Sequence, residues 1–160
     1  MTGVQTCALP IFVLEFNKSA TIVRTNFFGL SSSGSHSLLN FLVSKLSKNE
    51  KILGFQDVYF SPLGVSELAS IIIKIAISDI KGIINAVGFE TVSKFEFAKL
   101  VARELGKEEE LVSPGSVTSL GSAVARPNYL ALSARKLTET LKIELPSIKS
   151  MLEVELRNAI

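Results

Sequence analysis

Segments with the make-up of β-strands alternate with segments of helical period along most of this chain, and that alternation is its strongest constraint on fold. "ATIVRTNFFG" (20–29) is rich in β-branched and aromatic residues and closes on glycine, as a strand does. Ile22 and Val23, within an apolar run, predict burial on both faces, as in a parallel sheet. A loop of small polar residues, "LSSSGSHS" (30–37), leads to a helix over 37–48 with Leu39, Leu42, Val43 and Leu46 at i, i+3, i+4 and i+7. "KILGF" follows as a short strand. After Pro62, "GVSELASIIIKIAISD" repeats the helical spacing through Leu68, Ile71, Ile72 and Ile75. Its polar residues form only a narrow stripe, so it is expected to be sandwiched between other elements.

"GIINAVG" (82–88) is a third strand, bracketed by glycines. The next helix opens on Ser93 with Glu96 three residues on, a capping box. Its inner face is Phe97, Ala98, Val101 and Leu105, and Gly106 ends it at C′. "ELVSPGSV" continues extended, a long loop "SLGSAVARPNYLALS" leads to a helix over 133–142, and Pro146 fits the first turn of a last helix running towards Asn158. Strand–helix alternation of this kind argues α/β architecture. The 160 residues suffice for one hydrophobic core without staples.

Composition excludes several roles. The formal net charge is +2 with Lys and Arg scattered among acids, so neither a basic stripe for nucleic acid nor a basic membrane-surface helix is present. The longest apolar helical stretch, "LASIIIKIAI", falls short of the ~18 residues of a membrane span and contains Lys74. One cysteine, Cys7, rules out an internal disulfide framework and a multi-cysteine zinc site, which suits a cytoplasmic protein. The opening residues lack the basic n-region of an export signal.

Catalytic templates mostly fail. His36 is the single histidine, and a lone histidine in a Ser/Gly loop is more often solvated than a ligand or base. "SSSGSHS" offers no oriented third group for a triad, no second His or Cys stands at metal-ligand spacing, and no glycine-rich phosphate loop follows a strand. Glu108, Glu109 and Glu110 read as a solvated acidic loop. There remain polar residues at strand ends, where open α/β sheets bind ligands. Thr25 and Asn26 end the first strand, where Asn26 either faces a cleft or caps a turn. Asn40 shares a helix face with Ser44 and Ser47, a pattern that favours solvent. Arg126, stiffened by Pro127 in a long loop, is the best isolated anion ligand.

Taken together, "TIVRTNFFG", "LLNFLVSKLSKNEKILGFQDVYFSPLGVSELASII", "GIINAVGFETVSKFEFAKLVARELG", "ARPNYLALSARKLTETL" and "IELPSIKSML" resemble, in order and spacing, the C-terminal part of extended short-chain dehydrogenases/reductases, closest to the dTDP-4-dehydrorhamnose reductase group. The resemblance implies an NAD(P)-binding Rossmann-like α/β fold with substrate-binding segments. It implies NAD(P) as the cofactor of the full-length parent, a nucleotide-sugar as substrate, and a homodimer as one arrangement of the full-length form. It places Asn26-Phe27-Phe28-Gly29 beside nicotinamide and sugar, with Thr25 and Asn26 as cofactor contacts. Asn26, Asn40, Ser61 and Arg126 become substrate contacts, the last near the diphosphate. Phe28 stands where tyrosine is commoner; Leu63 and Glu67 replace a usual Thr and Asp, which bears on the sugar and not on the fold.

The family's glycine-rich loop and Tyr-x-x-x-Lys pair belong upstream of "VLEFNKS", and neither occurs here. No residue of this chain is therefore expected to be catalytic, and none to bind metal. "TGVQTCALPI" resembles a translated sequencing adapter, so residues 1–11 are read as non-native, in no helical or strand period, and 12–160 as the C-terminal portion of a sugar-nucleotide reductase. The alternatives are an epimerase or dehydratase of the same superfamily, a non-catalytic regulatory subunit like that of methionine adenosyltransferase, and a free-standing small α/β domain.

Overall fold

Parallel pairing of the first and third predicted strands organises the molecule. In the computed structural model, which describes residues 3–31, 37–120 and 127–157 (side chains from residue 10, omitting 119–120), β1 (Thr21–Thr25) lies parallel to β6 (Gly82–Ala86), from Thr21 opposite Gly82 to Thr25 opposite Ala86. Around this pair stand α1 (Gly3–Phe16), β2 (Phe27–Phe28), α2 (Leu38–Ser47), β3 (Ile52–Phe55), β4 (Tyr59–Phe60), β5 (Leu63–Gly64), α3 (Val65–Ala76), β7 (Val92–Ser93), α4 (Lys94–Glu104), β8 (Val112–Gly115), α5 (Arg135–Leu141) and α6 (Ile148–Arg157). Three small pairings complete the set: β2 with β5 and β3 with β8, both parallel, and β4 antiparallel to β7.

The predicted caps form. Ser37 Oγ accepts from the Asn40 amide at the start of α2. At α4, Ser93 and Glu96 make the reciprocal capping box, and Gly106 follows the helix with φ +64°, a left-handed conformation that glycine adopts without strain. Pro146 sits just before α6 rather than within its first turn, and Ser147 caps that helix by accepting from the Ser150 amide at 3.2 Å.

The core gathers around α4, which packs on α2, β3, β8 and α6. Phe97 is fully buried and meets Phe28 and Phe60 edge-on, at centroid distances of 5.1 and 5.4 Å. Leu39, Leu42 and Leu46, the α2 face legible in the sequence, join the same cluster. Burial of each such side chain contributes roughly 1.5–3 kcal/mol.

Four expectations are corrected. The opening is helical from Gly3, and Pro10 lies inside α1. Ile22 and Val23 are half-buried, because β1 pairs with β6 on one edge only among the described residues. α3 is not sandwiched: Ile71 and Ile75 are buried, but Ile73 is 63% and Ile77 83% exposed. Glu109 is not merely solvated, since it pairs with Lys99 at 2.8 Å and Arg103 at 2.6 Å.

Candidate functional site

The carboxyl ends of β1, β4 and β6 hold down one extended segment, residues 128–133. Asn26 Nδ2, just past β1, donates to the Leu130 carbonyl at 2.8 Å, and Asn85 Nδ2 in β6 donates to the Ser133 carbonyl at 3.2 Å. The Tyr59 amide donates to the Asn128 carbonyl, and the Leu130 amide to the Tyr59 carbonyl, both at 2.8 Å. Ser61 Oγ donates to the Leu132 carbonyl at 3.2 Å. Five bonds over six residues fix this strap, and with it the positions of Pro127 and Leu130.

A cavity opens beside the strap, and a second adjoins it at Leu38. The first, about 390 Å³, lies between α2, β3 and the start of α4, with Phe41, Leu42, Ile52, Phe55, Val117 and Leu130 among its walls. The second, also about 390 Å³, runs along Phe27–Ser31 to Ser37 and Val65. Leu38 lines both, so an apolar compartment adjoins one edged with hydroxyls and backbone amides. Both volumes lie in the range of small-molecule sites. Gly29 in the second cavity follows from packing: a Cβ there would stand 2.4 Å from Val65 Cγ1, so only glycine lets the chain pass the start of α3.

Lys94 is the sole charged residue among the described walls of the apolar cavity. Its Nζ stands 3.3 Å from the Phe60 ring centroid, and burial pulls its pKa down from 10.5 to about 8, since a low-dielectric wall disfavours the ammonium. No carboxylate pairs with it among the described residues. Asp57 receives the amide of Val117, itself on the cavity wall, at 3.0 Å, and the Ser116 hydroxyl. The Ser116 hydrogen bond, followed by the Val117 amide, holds the Asp57 carboxyl below its usual range.

The candidate residues read from the sequence divide. Thr25 and Asn26 do stand at the carboxyl end of β1. Thr25 Oγ1 is buried and has no hydrogen-bond partner among the described residues. Asn26 neither merely caps a turn nor directs its amide NH2 into a cleft; that group anchors the strap. Asn40 is half-buried and not solvent-facing: its Oδ1 accepts from the Ser31 amide at 2.7 Å and from the Ser37 hydroxyl, and its Nδ2 donates to the Ser31 carbonyl at 3.4 Å. It thereby ties together Ser31 and Ser37, both of which line the second cavity. Ser61 is fully buried, with its hydroxyl bonded to Thr91 and Leu132, so it supports the strap. Arg126 and His36 lie outside the described residues, as does the side chain of Cys7. Sequence reasoning missed Lys94. Its one local signal was a lysine in the first turn of a helix, where positive charge is unfavourable.

The replacements noted in the sequence are accommodated by packing. Leu63 is fully buried in the core. Glu67 falls in the first turn of α3, where a carboxylate complements the helix dipole. Whether the residues present fit NAD(P) can be tested on one orphaned atom: the Thr25 hydroxyl, at a parallel strand's carboxyl end, fits a polar contact to such a group. The sequence contains no glycine-rich turn to cradle its pyrophosphate, so the fit is limited to that one contact. Among the described residues no cluster of His, Cys, Asp or Glu could hold a metal, and no helix is long and apolar enough to cross a membrane.

With this geometry in view, comparison with known proteins is direct. Residues 10–159 match the family described as RmlD substrate binding domain. No curated protein sequence matches the chain. Among solved structures, a dTDP-4-dehydrorhamnose reductase from Bacillus anthracis, in complex with NADP, superposes with a TM-score of 0.86 at 25% identity, over 98% of this chain and 54% of that one. A reductase ortholog from Clostridium acetobutylicum gives 0.79 at 18%, over 93% and 52%. A UDP-N-acetylglucosamine 4-epimerase from Methanobrevibacter ruminantium, in complex with UDP-N-acetylmuramic acid, gives 0.71 at 15%, over 96% and 51%. The chain spans about half the length of these structures, and its fold is that of the C-terminal part of a Rossmann-like reductase. By the sequence match along nearly its whole length, the chain belongs to the RmlD substrate binding domain family.

Proposed function

We propose that the chain is the substrate-binding portion of an NAD(P)-dependent sugar-nucleotide oxidoreductase of the dTDP-4-dehydrorhamnose reductase type. The observation that carries this reading is the pair of adjoining cavities sharing Leu38, an apolar compartment for a base beside a hydrogen-bonding one for a sugar. Asn40, through Ser31 and Ser37, borders the sugar compartment, and Arg126, which precedes the strap in sequence, serves the diphosphate. Thr25 faces the dinucleotide, whose phosphate loop and Tyr/Lys pair belong to a nucleotide-binding half not contained in this chain. Hydride transfer then requires that half, and the longer enzyme works in the cytoplasm.

The apolar surface supports the same reading. β1 leaves one edge unpaired among the described residues, and Phe16, Ile73 and Ile77 are mostly exposed. An unprotected strand edge beside apolar helix faces is a surface that further strands and helices normally cover. The epimerase likeness keeps a 4-epimerase as the second reading, because both reactions need the same base and sugar compartments.

The test is calorimetric titration of the 160-residue chain with dTDP-glucose, UDP-glucose and free glucose. Binding of a nucleotide-sugar, with none of free glucose, is expected; no binding of either nucleotide-sugar overturns the proposal. Joining the chain to its upstream coding sequence then separates the two readings, by NAD(P)H consumption for the reductase and its absence for the epimerase.

A further inference from the structure

Lys94 is unexplained by the strap or by the core. A lysine in the first turn of a helix works against the helix dipole, so its amine gains from giving up its charge. That amine stands 3.3 Å from the Phe60 centroid, on the wall of a cavity of about 390 Å³ otherwise lined by apolar side chains such as Phe41, Leu42 and Phe55. It is only half-buried, within reach of a small molecule in the cavity. Neighbouring carboxylates are committed elsewhere. Asp57 adjoins Val58, whose carbonyl accepts the Lys94 amide at 2.9 Å, but its own carboxylate holds the Val117 amide and the Ser116 hydroxyl. Glu96 holds the Ser93 amide at 2.7 Å. A desolvated amine with no ion pair among the described residues is the setting in which lysine becomes a nucleophile near neutral pH.

We propose that Lys94 is a site of selective acylation by small acyl phosphates, and that the amide so formed closes the apolar cavity. The lysine nitrogen attacks the acyl carbon, and a C–N bond forms as the C–O bond to phosphate breaks. Phosphate leaves with the electron pair, and the proton of the amine passes to water. Acetylation removes the charge and leaves an amide and a methyl group against the apolar walls. Lys94 gives up its proton at about 8, so near that pH about half of it is free amine, against roughly 0.3% of an ordinary lysine. Nucleophiles lose intrinsic reactivity as their pKa falls, by roughly a factor of ten over such a gap, which leaves Lys94 about tenfold ahead. The effect of closure on ligand binding rests on the nucleotide-sugar reading; the acylation itself does not.

The experiment treats the full chain with a limiting amount of acetyl phosphate near pH 8, folded and in urea, and reads acetylation at each lysine by peptide mass spectrometry. In the folded chain Lys94 is expected to react about tenfold faster than exposed lysines such as Lys51, Lys81 and Lys149, and in urea no faster. Its rate should level off above about pH 8. Equal labelling in the folded chain, a preference that persists in urea, or a rate still climbing towards pH 10 overturns the acylation site. The acetylated chain is then titrated with dTDP-glucose, beside a K94Q variant that carries a neutral amide at this position alone. Affinity about tenfold below that of the untreated chain is expected in both, and unchanged affinity in K94Q overturns the closure. If the untreated chain binds no dTDP-glucose, the nucleotide-sugar reading falls and the closure with it, and the labelling alone decides the acylation site.

Discussion

Replacing Lys94 by methionine should make the chain more stable. Lys94 gives up its proton at about 8 in the folded chain, against 10.5 ordinarily, so between those values the unfolded chain holds the extra proton. Stability therefore rises with pH across that window, and below it the folded chain bears the whole cost of a desolvated ammonium. A gap of that size corresponds to about 3.4 kcal/mol at 1.36 kcal/mol per pKa unit. Lys94 is only half-buried and draws roughly 0.5–1 kcal/mol from the Phe60 ring, so with solvent screening the net cost is about 1–2 kcal/mol. Methionine keeps an unbranched apolar stem and removes the charge. Urea unfolding followed by far-UV circular dichroism should place K94M about 1–2 kcal/mol above the parent near neutral pH, with the difference shrinking as pH approaches 10.5. A K94M chain that is less stable at neutral pH, or a difference that does not change with pH, would refute the reasoning.

Other residues allow equally direct tests. In G88A the new Cβ would stand 2.2 Å from the Pro62 carbonyl oxygen, forcing apart the two loops joined by the Gly88 amide and Ser61 carbonyl at 3.3 Å; urea unfolding should show a loss of about 2–4 kcal/mol. In E155A the Ser66 amide loses the carboxylate that accepts from it at 2.8 Å, within a site where Glu155 is almost wholly buried; a loss of about 2–4 kcal/mol is expected, with E155Q recovering part of it. Asp57, whose pKa is lowered, supports the Val117–Leu120 turn above the usual carboxylate range, and that support is lost as pH falls through its depressed folded value. In D57A the Val117 amide should exchange its hydrogen faster at neutral pH, and the difference from the parent should narrow in acid.

What could be read in advance was local. The α4 capping box needs only Ser93 and Glu96, three residues apart, and the inner face of α2 needs only the spacing of its leucines. β2, β4, β5 and β7 are two residues each, too short for any period to register. Asn40 misled because its helical face suggested solvent, whereas its side chain is taken up by Ser31 and Ser37. Ser61 lies at a position the family resemblance marks for substrate, yet its hydroxyl is bonded to Thr91 and Leu132, residues distant in sequence. Lys94 acquires meaning only from Phe60 and the cavity walls, contacts that no window along the chain contains. The apolar character of α3 was plain in its composition, but its outer face is exposed because nothing among the described residues covers it.

The bond between Glu155 and the Ser66 amide also bears on how the protein is made. α3 begins on Gly64, which has no side chain with which to cap the helix, and the carboxylate that serves instead is supplied 89 residues later. A nascent chain still lacking α6 has β5 and α3 already synthesised but the start of α3 uncapped. Completion of the cavity that Val65 borders thus waits for the synthesis of α6, and disruption of that helix would be felt at the start of α3, 89 residues earlier in the sequence.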